Sequence, residues 1–182
     1  GELFMDRQLL AVTTFARLVR SVGPRLEAAG RDRSLARAVT TLLGFLVDRT
    51  ADYCSAFCRW IAGQESASNT FARTAFPMLW DPVEINPLVH PAADWPETAR
   101  RLAIVVREVA ALGNAPATVV QASATRSPLP DHAAQVVFTD PPYYDAIPYA
   151  DLSDFFHVWL RRSIGHAHPD LFTTPTTPKE EE

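Results

Sequence analysis

The residues best suited to chemistry lie in the tetrapeptide Asp140-Pro141-Pro142-Tyr143, which directly follows the apolar run Val136-Val137-Phe138. The double proline removes two N–H donors and stiffens the backbone, so the Pro141 carbonyl can point outward beside the Asp140 carboxylate. Two converging acceptors suit a planar amino group, and Tyr143 offers an aromatic face to the ring that carries it. An enzyme that methylates the exocyclic nitrogen of a nucleobase needs this arrangement.

That nitrogen is a poor nucleophile because its lone pair is delocalised into the ring. Hydrogen bonds from its protons to Asp140 and the Pro141 carbonyl would localise the pair as it attacks a methyl sulfonium, and would stabilise the developing positive charge. The base would have to be extruded from its stack and held on Tyr143. The alternative is a turn that ends a strand and carries a buried tyrosine, and on the tetrapeptide alone the two interpretations are about even.

The composition sets limits on the protein that carries this motif. With 182 residues, 47% apolar and 21% charged, we expect one globular domain or slightly more. A net charge of −4 excludes a uniformly basic nucleic-acid coat, and no apolar run reaches the roughly 18 residues of a membrane span. Two cysteines give no disulfide framework and fit a reducing, cytoplasmic location. The start at Gly1 and the end in a charged run lead us to expect a piece of a longer protein.

Proline and charge divide the chain near residue 76. Of 15 prolines, only Pro24 precedes that point, and the first part is basic whereas the rest is acidic. We therefore expect a helical hairpin over 1–76, a proline-rich connector over 77–96, an α/β part with the tetrapeptide over 97–165, and a mobile tail over 166–182.

Apolar periodicity predicts the elements within these segments. In the hairpin, the first helix has Asp6 as its cap, and the second begins near Ser34 and ends at Gly63. A third helix has Asp94 as its cap and turns Leu102, Val105, Val106, Val109 and Leu112 inward. Strands over 118–122 and 135–138 follow, and then a helix over 152–163. This order is typical of an α/β fold with a parallel sheet.

The run TDPPYYDAIPYADLSDFFHVWLRR, residues 139–162, resembles the signature block of the bacterial and archaeal adenine-specific DNA methylase family that carries a zinc ribbon and an N-terminal domain of unknown function. Supporting segments resemble the same family in the same order, namely residues 3–15, 69–87, 121–131 and the ending LFTTPTTPKEEE. The resemblance implies a C-terminal part of such an enzyme, with a partial Rossmann-like methyltransferase sheet (the catalytic strand and its neighbour) preceded by the helical hairpin.

The resemblance also implies roles. Asp140, Pro141, Pro142 and Tyr143 match the catalytic motif of amino-group methyltransferases, with S-adenosylmethionine as methyl donor and a base in DNA, adenine by the family, as acceptor. Partners would be DNA, other parts of the same enzyme, or a restriction or defence protein, and no membrane.

The chain departs from the family pattern at the cofactor. Ser123 stands where related enzymes often carry an acidic residue for the adenine of the cofactor. The family's glycine-rich cofactor turn is missing, because no two of the chain's seven glycines are close together: Gly1, Gly23, Gly30, Gly44, Gly63, Gly113 and Gly165. We therefore expect this chain alone to be inactive and at most a weak cofactor binder.

Other residues have a functional and a structural interpretation. Tyr144, Asp145 and Tyr149 are candidates for the base pocket, whereas Ser153 or Asp154 is expected to cap the following helix. The remaining candidates are two cysteines, two histidines and the arginines of the hairpin.

Cys54 and Cys58 should be buried on one helical face, and His166 and His168 should lie in a solvated loop, so no metal site is expected. The arginines of the hairpin could meet DNA phosphates, but a solvated face explains them slightly better.

Two other functions remain open. An RNA base amino-methyltransferase would use the same acceptor geometry. A non-catalytic module would instead dock a partner through the hairpin, with the half-sheet vestigial. A catalytic Tyr143 should be exposed over a cleft, whereas a structural one should be buried against Phe155 or Trp159.

Overall fold

The computed structural model describes residues 3–72, 78–89, 93–113, 119–120, 122, 125–141, 147–177 and 179. These residues form a mostly helical arrangement with one short antiparallel strand pair. The elements are α1 (Asp6–Arg20), α2 (Val22–Ala28), α3 (Arg33–Tyr53), β1 (Trp60–Ile61), β2 (Ser66–Ala67), α4 (Trp95–Ala111) and α5 (Tyr149–Ile164), with 3-10 turns at Ala62–Gln64 and Pro169–Leu171. No helix among the described residues is long and apolar enough to cross a bilayer.

Helices α1, α3 and α5 enclose the core. Helix α3 is antiparallel to α1, because Gln8 near the start of α1 donates through Nε2 to the Ser55 carbonyl just beyond α3, at 3.0 Å. Helix α5 packs closely on α3 at Gly44, where an added Cβ would lie 2.7 Å from Ile164 Cγ2. The buried side chains of this core include Val12, Val19, Val47, Ala51, Trp159 and Ile164.

Helices α1 and α3 of the predicted hairpin segment are joined by α2, which was not predicted, and the starts of α1 and α3 follow local signals. Helix α3 begins where expected, because the Asp32 side chain accepts from the backbone N–H of Ser34 at 2.8 Å and of Leu35 at 3.2 Å. At α1, the expected cap Asp6 is instead the first helical residue. The residue before it is tied by a bond from Met5 N to Gln8 Oε1 at 2.9 Å, and the Asp6 charge remains favourable in the first turn.

The second helix was predicted to continue to Gly63, and this was wrong, because α3 ends at Tyr53. Extension would require the Ala56 N–H to bond to the Asp52 carbonyl. Instead, Ala56 N donates to Leu3 O at 2.9 Å, and the Asp52 carbonyl accepts from Thr70 N at 2.7 Å. Contacts from distant segments therefore replace the next helical turn.

The connector has no regular structure at 78–89, as its prolines predict. It is held by a two-bond ion pair between Arg7 and Glu84, at 2.8 and 3.0 Å, and by a bond from Val83 N to Cys58 O at 2.9 Å. Helix α4 then starts as predicted, since Asp94 Oδ1 accepts from Glu97 N at 2.7 Å.

The predicted strands are absent from the described residues that should form them. Residues 135–138 have no regular structure, and Val136 and Phe138 are 83% and 94% exposed. An isolated strand leaves its backbone N–H and C=O groups without partners, and no neighbour pairs with this one among the described residues. The coarse α/β class agrees with the structure only through the short pair β1–β2.

Helix α4 differs from the expectation that its apolar side chains face inward. Val105, Val109 and Leu112 are 56%, 60% and 68% exposed. The first turns of α4 pack on the bundle, where Trp95 stacks on Phe15 with ring centroids 4.3 Å apart. The later turns would need a sheet to cover them, and the described residues form no such sheet.

The tail expected to be mobile over 166–182 is bound along its described residues. Asp154 Oδ1 accepts from Thr177 N at 2.8 Å and from Thr177 Oγ1 at 2.7 Å. Lys179 forms ion pairs with Asp154, at 2.9 Å, and with Asp151. Thr177 and Lys179 are therefore bound to the first turns of α5.

Candidate functional site

The described part of the predicted catalytic motif consists of Asp140 and Pro141, which are both exposed. Among the described residues, no donor binds the Asp140 carboxylate. The segment that carries these two residues, 125–141, has no buried residue. Asp140 and Pro141 therefore lie on an exposed segment without regular structure, outside the helical core.

Most of the other predicted site residues lie outside the described residues. This applies to the catalytic candidates Pro142 and Tyr143, to the base-pocket candidates Tyr144 and Asp145, and to the cofactor candidate Ser123. Whether Tyr143 is exposed over a cleft or buried stays a prediction.

Tyr149, the last base-pocket candidate, is the first residue of α5 and is about half exposed, at 47%. Its backbone takes part in the start of the helix, where Ser153 Oγ donates to the Tyr149 carbonyl at 2.7 Å. The prediction that Ser153 or Asp154 caps this helix was wrong, because the helix begins one turn earlier, after Pro148. Tyr149 is therefore half exposed in the first turn of α5, eight positions after Pro141 in the sequence.

An aromatic groove of about 320 Å³ lies beside α5 and was not predicted from the sequence. Phe4 packs on Phe155 with ring centroids 5.8 Å apart and meets Trp159 edge-on at 5.4 Å. Phe71 closes the groove against Phe155 at 5.0 Å. The complete lining is Leu3, Phe4, Phe71, Asp151, Asp154, Phe155, Val158 and Trp159.

This groove could receive a flat apolar ring, because its walls are aromatic faces and edges. Its two carboxylates are occupied, since Lys179 bridges Asp151 and Asp154. Bonds from Thr177 and Lys179 also lower the pKa of Asp154 to about 2. No local sequence pattern could have identified the groove, because Phe4 and Phe155 come from opposite ends of the chain.

The described residues do not fit S-adenosylmethionine. The two glycines with positive φ, Gly30 and Gly113, follow α2 and α4 rather than strands. Without a turn of backbone N–H groups beyond a strand, these residues supply no cradle for the cofactor.

Burial makes the two cysteines unreactive. Both thiols are buried, as predicted, although they do not share a helical face, because Cys54 follows the last residue of α3. Burial, with a smaller effect of Cys58, raises the pKa of Cys54 to about 12, and burial also raises the pKa of Cys58. Protonated thiols of this kind are poor nucleophiles and poor metal ligands.

His168 packs on the bundle, whereas His166 is exposed in the turn that follows α5, in agreement with the predicted solvated loop. Arg37 Nη2 lies 2.9 Å from His168 Nδ1, and Thr41 Oγ1 lies 2.7 Å from Nε2. Because an arginine only donates, Nδ1 accepts and the ring is neutral with its proton on Nε2. Burial, followed by the charge of Arg37, lowers the pKa of His168, and burial followed by Arg20 lowers that of His166. Within the described part of the chain, no group of three His, Cys, Asp or Glu side chains could hold a metal ion.

A carboxylate pair on α3 is a second feature that the sequence analysis missed. Burial, with the nearby charge of Asp52, raises the pKa of Asp48 to about 8, and Asp48 Oδ1 has no hydrogen-bond partner among the described residues. Asp52 is better satisfied, because it accepts from Asn69 Nδ2 at 3.0 Å and from Phe71 N at 3.4 Å. Asp48 is therefore mostly protonated at pH 7.

No family model matches the chain, and no curated protein or solved structure matches it. The resemblance to the DNA methylase family therefore stays a prediction from the motif residues.

Proposed function

We propose that this chain carries the base-binding part of an enzyme that methylates the exocyclic amino group of a flipped base in DNA, adenine by the resemblance. The observation that carries the proposal is the tetrapeptide at 140–143 in the sequence, with Asp140 and Pro141 both exposed. The apolar run before it and the amphipathic helix α5 after it support the proposal, because this order is expected around the catalytic strand of a methyltransferase.

Each residue has a distinct task in this proposal. The Asp140 carboxylate and the Pro141 carbonyl accept hydrogen bonds from the two amino N–H groups, which orients the nitrogen lone pair toward the methyl group of the donor. As the new N–C bond forms, the S–CH3 bond of the sulfonium would break and leave a neutral thioether. The two acceptors would stabilise the positive charge on the methylated nitrogen until one proton leaves to solvent. Pro142 keeps the turn rigid, and Tyr143 stacks on the base. The resemblance names S-adenosylmethionine as the donor, and the proposal assigns its binding to residues outside those described here.

The direct test is transfer of a labelled methyl group from S-adenosylmethionine to unmethylated DNA by the natural full-length polypeptide that contains this sequence. We expect Asp140→Ala to lower the rate by about 10²-fold or more, as loss of a charge-stabilising contact does in other enzymes. Tyr143→Ala should lower it about 10- to 100-fold through the lost stacking. The matched control is Asp131→Ala, which removes another exposed carboxylate from the same segment and should leave the rate unchanged.

Full activity in Asp140→Ala would sink the catalytic assignment, and methylation of RNA but not DNA would keep the mechanism and change the substrate.

A second function, docking of a protein partner without catalysis, is favoured by the exposed apolar stripe of α4. Val105 and Val109 lie one turn apart on the same face, and both are more than half exposed. A docking module predicts that Val109→Asp abolishes association with the partner and that Asp140→Ala changes nothing.

A further inference from the structure

Helices α1 and α5 form a groove that is lined by three arginines and no acidic residue. It has a volume of about 220 Å³, and its lining is Thr13, Ala16, Arg17, Arg20 and Arg162. Arg20 Nη1 lies 3.5 Å from the carbonyl of Arg162, although the two residues are 142 positions apart in the chain. The fold therefore brings together positive charges that are far apart in the sequence.

Among the described residues, these arginines have no acidic partner, in contrast to other arginines of the protein. Arg7 pairs with Glu84, and Arg100 and Arg101 both pair with Glu97. Among the described residues, no carboxylate forms an ion pair with Arg17, Arg20 or Arg162. The field of this cluster also reaches His166, whose pKa is lowered by burial and then by Arg20.

Compensation of the helix dipoles explains only part of the placement of these arginines. Arg17 and Arg20 lie in the last turn of α1, and Arg161 and Arg162 in that of α5, where positive charge offsets the helix dipole. However, α3 and α4, which are at least as long, have no basic residue in their last turns. Dipole compensation acts on each helix separately, so it does not account for the convergence of Arg17, Arg20 and Arg162 on one groove.

We propose that the α1–α5 groove binds the phosphate backbone of duplex DNA. Three guanidiniums on neighbouring helices suit a chain of phosphates, because each can bind a separate phosphate oxygen pair while staying hydrated on its outer side. A lipid surface is less suited, because the groove is concave and has no apolar side chain larger than that of Ala16 to insert. The inference rests on the proposed function for the choice of DNA, and it adds a contact surface away from the reacting base.

The test is the binding of a fluorescein-labelled 20-base-pair duplex to the full chain, followed by anisotropy between 50 and 300 mM salt. The groove variant is Arg17→Gln with Arg20→Gln and Arg162→Gln. The matched control removes the same charge from three exposed arginines on other elements, with Arg59→Gln, Arg107→Gln and Arg126→Gln. A charge-keeping variant carries lysine at the three groove positions, and circular dichroism checks the folding of each protein.

We expect the groove variant to weaken binding at least about 10-fold at 0.1 M salt and to reduce the slope of log K against log salt by about 2 to 3, since each phosphate contact contributes about 0.9. The control should change the slope by less than about 1, and the lysine variant should keep most of the affinity. Equal effects of the groove variant and the control would overturn the inference. So would stronger groove-dependent binding to phosphatidylserine vesicles than to the duplex, or an absence of duplex binding by the wild-type chain.

The two proposals fail in different ways. If methyl transfer requires Asp140 but the groove variant binds DNA as the control does, the groove assignment alone is wrong. If the groove variant loses DNA and Asp140→Ala leaves methyl transfer intact, the catalytic assignment alone is wrong.

Discussion

Replacing Asp48 by asparagine should stabilise the protein at neutral pH, and the gain should depend on pH. Asp48 lies inside α3, its Oδ1 has no partner among the described residues, and burial beside Asp52 raises its pKa to about 8. The unfolded chain ionises this carboxyl near pH 3.9. Because the folded state holds the proton and the unfolded state releases it, rising pH favours unfolding.

The magnitude follows from the gap between the two pKa values. Each pH unit above the unfolded pKa lowers the free energy of unfolding by about 1.4 kcal/mol until the folded pKa is reached, which amounts to about 4 kcal/mol at pH 7. The stability that the bound proton gives the folded state is fully present below about pH 4 and is lost progressively as pH rises toward 8. Above pH 8 the free energy of unfolding no longer changes with the ionisation of Asp48. Asparagine, which cannot ionise, removes the whole dependence.

Urea unfolding of wild type and Asp48→Asn at pH 5, 6, 7 and 8 measures the effect, because the difference between the two proteins cancels the other titrating groups. The stabilisation by asparagine should grow by about 2 to 3 kcal/mol between pH 5 and pH 7. Asp131→Asn, at an exposed position, is the matched control and should give no trend. A difference that is flat with pH, or that shrinks as pH rises, would refute the assignment of a buried, protonated Asp48.

Two further predictions concern the packing of α5. Gly44→Ala should destabilise the protein by about 1 to 2 kcal/mol in urea unfolding despite its better helix propensity, because the new Cβ would lie 2.7 Å from the buried Ile164 Cγ2. Gly63→Ala, which meets no atom within 4 Å, is its control and should be neutral or slightly stabilising. Asp154→Ala should release the segment that ends at Lys179 and speed amide exchange at Thr177. Since the pKa of Asp154 is lowered to about 2, its anchoring in the wild type should persist above pH 4 and be lost as pH falls toward 2. Unchanged exchange in the variant would contradict this role.

The helices were predictable where their causes lie within a few residues of one another. Asp94 and Pro96 predict the start of α4. The spacing of the apolar residues predicts α5, which in the structure is longer than expected and covers Tyr149–Ile164. The end of α3 was not predictable, because the Asp52 carbonyl is taken by Thr70 and not by a neighbour in the helix. The apolar periodicity continues beyond Tyr53, and it does not indicate the contact between the Asp52 carbonyl and Thr70.

The candidate site was also predictable only where its residues are adjacent in the sequence. The motif at 140–143 and the chemistry it permits are visible in the sequence, because the acceptor pair and the stacking ring are adjacent in the chain. The predicted strand before it depends on neighbours, and the described residues provide none, so Val136 and Phe138 stay exposed. Strand pairing requires partners from elsewhere, and a local pattern cannot supply them.

By itself, the sequence determined the starts of α3 and α4, since each rests on a capping carboxylate, Asp32 or Asp94, within one turn of the helix. The tertiary structure alone decided which groups meet. It joined Arg20 to Arg162 in one groove, packed Phe4 on Phe155, and placed Asp48 beside Asp52 with a buried Oδ1 that has no partner among the described residues. The physical reason is that charge clustering and desolvation depend on distances in space, which the chain sets only once α1, α3 and α5 have packed together.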